Sequence, residues 1–382
     1  MIDWNLIWSL LKGAFVWEKG HLQYPTPKRL FSVLVLLPLF ILNLLLNWLF
    51  LGLDELLFPA YRKTKIPQAV FIVGIPRSAT TFLLHKLARD EQHFTCLKMW
   101  EVVLAPSITQ KYLVLGLVRV DKLVGRPLYR LSLWLDRVVF GSLRDIHPMG
   151  LASPEEDEGL FLHLFSSLYL VYLFPDHPAL DPYLRFDREV PEERRQSMMA
   201  FYYRCIQRHN YVFNRQGERY FLSKNPTFVP KLTSLAARFP QGKLLFPLRS
   251  PQQTIPATIS LNAHLYGAFN PFQESPLVER TRDLVLDWYE MAAHALQNSW
   301  QDRHLVLPFR QIVQQPGDTF EQIYRWLEVP VSQDTQAYFE QLNQETANYK
   351  SPHQYDRQVG VDEELVQQRI SDFWPSFMVF LQ

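Results

Sequence analysis

One run leaves this chain few folds to choose from: Ala69-Val-Phe-Ile-Val-Gly74-Ile-Pro76-Arg77-Ser78-Ala79-Thr80-Thr81-Phe-Leu-Leu-His-Lys-Leu-Ala88. Its opening apolar, mostly β-favouring residues predict a strand buried on both faces, as parallel sheets require. Gly74-Ile75-Pro76 breaks that strand, and from Thr80 the apolar spacing (Phe82, Leu83, Leu84, Leu87, Ala88) turns helical. A strand, a tight turn and a helix start bring unpaired backbone N–H groups and the positive end of a helix dipole to one point. Ser78, Thr80 and Thr81 add hydroxyl donors there, and Arg77 adds a cation. The expected ligand is a phosphate-like anion.

What the loop omits narrows the chemistry. A nucleotide triphosphatase loop, G-x-x-x-x-G-K-[ST], would carry Gly at position 79 and Lys at position 80. This chain has Ala79 and Thr80. No apolar strand ending in Asp is evident to hold magnesium, as phosphoryl-transfer sites require. A sulfuryl group in flight carries less charge than a phosphoryl group, and one well-aimed cation can steady its leaving oxygen. The loop therefore favours sulfuryl over phosphoryl transfer.

A second segment stands on the same physics. It reads Phe221-Leu-Ser-Lys224-Asn-Pro226-Thr-Phe-Val-Pro-Lys231-Leu, then Phe239-Pro240-Gln-Gly-Lys-Leu-Leu-Phe-Pro-Leu-Arg249-Ser-Pro251. Lys243 to Arg249 predicts another buried strand ending in a cation at its carboxyl end, the edge where open α/β sheets bind ligands. Two strands that each deliver an Arg to that edge can grip two anions of one nucleotide.

Together, I-P-R-S-A-T-T and this "K-x-P … F-P … R-x-P" run resemble the sulfotransferases that use 3'-phosphoadenosine 5'-phosphosulfate (PAPS), both the bacterial group and the tyrosylprotein enzymes. The resemblance covers residues 66–330. It implies a P-loop-like parallel sheet flanked by helices, PAPS as donor, adenosine 3',5'-bisphosphate as product, and no metal. It also implies that Gly74, Pro76, Arg77, Ser78, Ala79, Thr80 and Thr81 hold the 5'-phosphosulfate, and that Lys224 supports the sulfuryl or bridging oxygen. Arg249 would hold the 3'-phosphate through its bidentate fork. The family usually has a Ser eight residues after that Arg; here the position is Ala257, with Thr258 and Ser260 nearby.

The acceptor hydroxyl needs a base, and three candidates present themselves. Glu101, beside Met99 and Trp100, has the spacing of the Glu that takes the acceptor proton in tyrosylprotein sulfotransferases. Desolvation is expected to raise its pKa toward a useful value, and Glu101 is the favoured base. An exposed Glu at a helix start is the plain alternative. His147, before Pro148, is a base or a structural turn donor. The acidic run Ser153-Pro154-Glu155-Glu156-Asp157-Glu158 matches a capping box with Pro at the first helical position. Similar P-E-E-D runs recur in the bacterial sulfotransferases, which keeps Glu155 as the third candidate. Two other readings remain open: a metal-free nucleotide-binding or scaffold protein without transferase activity, and a kinase-like transferase using ATP.

A net charge of +1 over 382 residues gives no electrostatic case for nucleic acid. Cys96 and Cys205 are isolated, which indicates neither a disulfide framework nor zinc. The one N-x-[ST] match has Pro226 in the middle. A reducing cytoplasm is the expected compartment.

From Leu30 to Leu53 the chain carries no charge, a length that can span a bilayer and exceeds a signal peptide's apolar core. Trp4, Ile7, Trp8, Leu11 and Phe15 with Lys12 and Lys19 read as an interfacial amphipathic piece. Cations flank both ends (Lys28, Arg29; Arg62, Lys63, Lys65), so charge gives no orientation. The expectation is a membrane-associated apolar helical appendage over residues 1–65, holding a cytoplasmic catalytic domain (66–331) at a membrane surface. A C-terminal extension (332–382) follows, with Lys350 to Tyr355 lying over the cofactor. The acceptor would be a hydroxyl-bearing lipid or glycolipid, and a chain beginning near Ile66 should still bind nucleotide. The alternatives for residues 30–53 are a buried core helix or a helical hairpin broken at Pro38.

Overall fold

Five strands pair side by side, all parallel: β1 (Ala69–Ile72), β2 (Phe94–Thr95), β3 (Tyr220–Lys224), β4 (Lys243–Leu248) and β5 (His304–Pro308), in the order β2-β3-β1-β4-β5. This computed structural model describes residues 3–66, 68–140, 150–271, 276–346, 356, 358–378 and 380. β1 is buried along its whole length, and alternation sends its side chains into two cores. Phe71 packs against Phe239 and Trp300 on one face. Val70 and Ile72 join Leu83, Leu87, Phe320 and Ile323 on the other. Parallel neighbours demand crossovers, and helices supply them on both faces. The expected α/β class is the class observed.

The register puts Ile72 beside Lys224, and β4 flanks β1 on its other side. The carboxyl ends of β3, β1 and β4 therefore stand together at the point where the strand order reverses, where such sheets bind ligands.

The capping box at Ser153 does not form. The Met99 N–H donates to the Ser153 carbonyl at 3.0 Å and the Glu155 N–H to the Leu97 carbonyl at 3.1 Å. That pairing holds residues 153–155 extended, and a 3₁₀ helix begins only at Asp157 (Asp157–Leu164). Strand-like pairing with a distant segment outcompetes the local cap.

The helix Pro27–Leu57 runs unbroken past Pro38. A π turn over Ser32–Leu36 precedes it and absorbs the missing N–H and the ring's clash with the preceding turn. No hairpin forms at this point. Leu37, Leu44, Leu51, Asn47 and Asp54 make the buried seam. Two side-chain amides on that side, Asn43 and Asn47, donate to the Val103 carbonyl at 2.9 and 3.1 Å. Leucines face outward: Leu34, Leu39, Leu42, Leu45, Leu46 and Leu49 are all exposed.

The first 65 residues share their packing with the rest of the chain. Buried Arg29 donates to the Ala14 carbonyl at 3.0 Å and to Asn270 Oδ1 at 2.8 Å. Trp48 Nε1 donates to the His163 carbonyl at 2.7 Å, and Arg208 Nε lies 3.0 Å from Asp54 Oδ2. Bonds of this kind cross the boundary drawn at residue 65. A chain beginning at Ile66 would leave Arg208 without Asp54, a loss of about 3–5 kcal/mol for one buried pair. Such a truncation is now expected to lose its cooperative thermal transition. A sharp circular-dichroism melt near that of the full chain would show that the bonds are dispensable.

At the other end, Gln333–Thr346 packs on Pro316–Leu327, with Phe339 against Tyr324 at 5.2 Å. Trp374 and Phe377 pack against Tyr289. Lys350 to Tyr355 and His147 lie outside the described residues.

Candidate active site

Gly74 is required by space. A Cβ there would sit 2.8 Å from the Pro247 carbonyl oxygen, so only glycine lets the chain leave β1 this close to β4. The turn then places Arg77 and Ala79 at φ +69° each, a left-handed conformation costing on the order of 1 kcal/mol per residue. Alternation of this sort turns successive N–H groups into a concave anion nest. Ala79, the residue before the helix Thr80–Leu87, offers no side-chain cap, so the first-turn N–H groups remain for an anion. Ser78 is fully buried, and its Oγ has no hydrogen-bond partner among the described residues.

Arg249 follows β4 and is tied to the loop: its Nη1 donates to the Arg77 carbonyl at 2.7 Å. Its guanidinium lies 4.3 Å from the Phe309 ring centre, and Nε donates to Gln253 Oε1 at 3.2 Å. The Tyr289 hydroxyl donates to the Arg249 carbonyl, so the aromatic tail residues behind Tyr289 buttress this Arg. On the helix that follows (Pro251–Phe269), Ala257 is buried and apolar. Thr258, one residue on, is 5% exposed, and its Oγ1 has no partner among the described residues. Thr258 and Pro76 of the loop line one open cleft with Tyr169, Tyr172, Thr227 and Trp288.

Lys224 ends β3 and is 1% exposed, and its Nζ pairs with Glu156 Oε1. The other Glu156 oxygen accepts from the Tyr169 hydroxyl at the cleft. Burial first, and then the Glu156 charge, push Tyr169 well above the ordinary tyrosine range, so it stays a donor. The acidic run is thus the site's counter-charge. Glu155 is buried too, its Oε1 accepting from the Glu156 N–H at 3.0 Å. Glu158 meets Lys231 Nζ at 3.1 Å, both side chains fully buried, and also accepts from Thr227 Oγ1 at 2.9 Å.

Burial pushes Asp157 up to about 7 from an ordinary 3.8, against hydrogen bonds from Ser223 and Tyr202 that pull it down. Between those two values the folded chain binds a proton that the unfolded chain has released. This group's contribution to stability is therefore complete below pH 3.8 and is lost as pH rises toward 7. Chemical denaturation of wild type and Asp157→Asn at about pH 5 and about pH 8 should show wild type alone losing this increment. Parallel pH dependence in the two proteins would contradict the assignment.

Glu101 sits elsewhere, on the helix Met99–Val103, and is 1% exposed. Its Oε1 lies 2.8 Å from His209 Nδ1 and 3.6 Å from Lys111 Nζ, and its Oε2 accepts from the Lys98 N–H at 3.1 Å. Burial raises its pKa, but attraction to His209 and Lys111 and these hydrogen bonds outweigh burial and hold the carboxyl below its usual value. The shift runs opposite to the rise expected from desolvation alone. None of these partners belongs to the loop. The structure thus gathers Gly74, Pro76, Arg77, Ser78, Ala79, Thr80, Thr81, Lys224, Arg249 and Thr258 around one sheet edge, with Ala257 beside Thr258. Glu156, from the acidic run named as the third candidate, joins them, and so does Tyr169, which no sequence signal marks.

A parallel sheet with a glycine-started turn and helix N-terminus on its central strand, and a second Arg at the end of the neighbouring strand, defines an α/β protein of phosphate-loop-like architecture. The chain belongs to the sulfotransferase family, whose family model it matches over residues 67–333. Among solved structures it is similar to sulfotransferase STF1 from Mycobacterium tuberculosis H37Rv (TM-score 0.68, 18% identity, 96% of this chain and 91% of that one). It is also similar to sulfotransferase STF9 from Mycobacterium avium (TM-score 0.67, 17% identity, 87% and 83%). At these identities the likeness is one of fold. No curated protein matches. Family and fold support sulfotransferase activity.

Proposed function

We propose that the protein transfers a sulfuryl group from PAPS to an acceptor hydroxyl by in-line displacement, without a metal. The observation that carries this reading is the bond from Arg249 to the Arg77 carbonyl, which makes two cationic loops one unit flanked by the orphan hydroxyls of Ser78 and Thr258. Those buried oxygens need partners, and phosphate groups would supply them. The residues present therefore fit the nucleotide. When bound, it would supply the sulfuryl group and an anionic leaving phosphate.

The chain's own groups divide the work. Arg77, Ser78 and the N–H groups at Thr80 and Thr81 bind the 5' end, while Arg249 and Thr258 bind the 3'-phosphate. Lys224, poised on the adjacent strand end, neutralises charge on the leaving side. Glu156, held behind the cleft wall by Lys224 and by the cleft residue Tyr169, takes the acceptor proton; Glu101 holds its own helix to His209 and Lys111 as a positioning residue. Glu156→Gln should lower turnover about 10²–10⁴-fold with nucleotide affinity little changed. Should Glu156→Gln stay active while Glu101→Gln dies, the base is Glu101. Thermal-shift titration with adenosine 3',5'-bisphosphate, ATP and GTP tests the nucleotide itself, since only a selective binder is stabilised by the first alone. No response to the bisphosphate would favour a scaffold protein.

The membrane part of the reading rests on the Pro27–Leu57 helix, which turns its amides inward and its leucines outward. It is long and apolar enough to cross a bilayer by length and composition, and 28% of its most apolar window is buried. A helix lying on the cytoplasmic surface would bring a lipid or glycolipid hydroxyl to the cleft by confinement in two dimensions.

A further inference from the structure

The helix Ile108–Leu123 packs on Leu37–Leu57 and on Glu192–Phe213, and the helix Pro127–Phe140 folds back on it. Little of this hairpin is buried: Ile108, Lys111, Asp121 and Asp136 are the buried positions among its described side chains. Around the turn the chain exposes Leu117, Leu123, Val124, Leu128, Leu131 and Trp134, with Leu123 at 86%. A hairpin stabilised by its own core would hide such residues. Water is a poor solvent for this much contiguous leucine, and a patch of this size marks an interaction surface.

The charges on the hairpin name the partner. Arg119, Lys122, Arg126, Arg130 and Arg137 are exposed. The only acids in the same stretch, Asp121 and Asp136, are buried and occupied by backbone. Asp121 accepts from the Leu128 and Tyr129 N–H groups at 2.7 and 3.1 Å, and Asp136 from the Leu151 N–H at 3.0 Å. The outer face is therefore apolar and purely cationic. Gly125, at φ +87°, makes the tight turn at the tip with nothing packed against it.

We infer that this hairpin is a second membrane-docking element, which inserts its apolar tip among acyl chains and binds anionic phospholipid headgroups through its five exposed cations. The inference deepens the membrane reading above and rests on it. The hairpin adjoins the outward-leucine helix through Asp54, whose carboxylate accepts from the Ile108 and Thr109 N–H groups at 2.7 and 2.9 Å. The two elements are therefore neighbours in the fold, tied together at the helix's buried seam. The helix supplies apolar affinity for any bilayer. The hairpin supplies the preference for negative charge, because each basic residue near an anionic surface strengthens binding several-fold.

The test uses full-length protein floated with vesicles of phosphatidylcholine, alone or mixed with phosphatidylglycerol. Wild type should bind both and favour the anionic vesicles by about tenfold or more at low salt. Changing Arg119, Lys122, Arg126, Arg130 and Arg137 together to Gln should erase that preference while leaving neutral-vesicle binding and the thermal melt in place. An environment-sensitive fluorophore at Leu123→Cys should shift blue on anionic vesicles. Unchanged selectivity in the quintuple variant, or a label that stays water-exposed on bound protein, overturns the proposal. So does a lipid-free dimer that already shields the label, which would make a second copy the occupant. Absence of binding to either vesicle would sink the membrane reading as a whole, and the bisphosphate titration separates that failure from one of nucleotide recognition.

Discussion

Arg77→Ala is expected to abolish sulfuryl transfer, by about 10³-fold or more, while leaving the melting transition in place. Arg77 is half-buried on a loop with a left-handed backbone, and alanine can occupy that conformation as Ala79 does two residues later. What disappears is the cation proposed to bind the 5' end of the donor. Arg249→Ala should behave differently. It should weaken affinity for adenosine 3',5'-bisphosphate by about 2–5 kcal/mol, the scale for a desolvated charge pair. It should also leave the Arg77 carbonyl without its donor and so loosen the loop. Calorimetric titration of both variants, beside turnover at saturating donor, separates the roles. Equal bisphosphate affinity in wild type and Arg249→Ala would end the 3'-phosphate assignment. Strict dependence of the reaction on magnesium would favour the ATP reading.

The second large effect concerns stability. Lys231 and Glu158 are both completely buried, and Lys231 Nζ also donates to the Thr227 carbonyl at 2.9 Å. Burial lowers the Lys231 pKa, and the Glu158 charge opposes that fall. Removing either partner leaves a charge in the core, so Glu158→Ala or Lys231→Met should cost about 3–5 kcal/mol. The pair Glu158→Ala with Lys231→Met should recover part of that loss. Urea denaturation of the three variants checks the cycle; strictly additive losses would mean that the two groups do not interact. Because Glu158 also holds Thr227 at the cleft wall, Glu158→Ala should raise the donor's KM even where the protein stays folded.

How much of this was legible follows from the range of the forces involved. β1 and β4 announce themselves because a strand buried on both faces must be apolar throughout, and Gly74 and Arg249 mark their ends. β2, two residues long, leaves no periodic signal. The acidic run obeys local capping rules, yet two backbone bonds to residues 97–99 override them. Met99 and Trp100 predict a raised pKa for Glu101, but against burial the attraction of His209, more than a hundred positions along the chain, and of Lys111 holds it below the usual value. The hairpin over residues 108–140 reads as ordinary helical sequence, since only the fold shows that its leucines meet nothing. Composition separates residues 1–65 from the rest. Arg29, Trp48 and Asp54 join them to it, and single polar residues do not register in a composition.

The Pro27–Leu57 helix reverses the usual grammar of substitution. On most enzyme helices an outward position accepts almost any residue, and an inward one demands a hydrocarbon. Here buried Asn47 donates to the Val103 carbonyl and accepts from the Gln110 amide at 2.6 Å; leucine in its place would remove both bonds and leave Asn43 and Leu104 as the remaining partners of those two groups. Outward Leu39, Leu42, Leu45 and Leu46 carry no such burden. If the helix docks on a bilayer as proposed, polar residues at those four positions would spare the architecture and weaken only its hold on the membrane. On that reading, foldedness and address are written on opposite sides of one helix, so selection could rewrite either without disturbing the other.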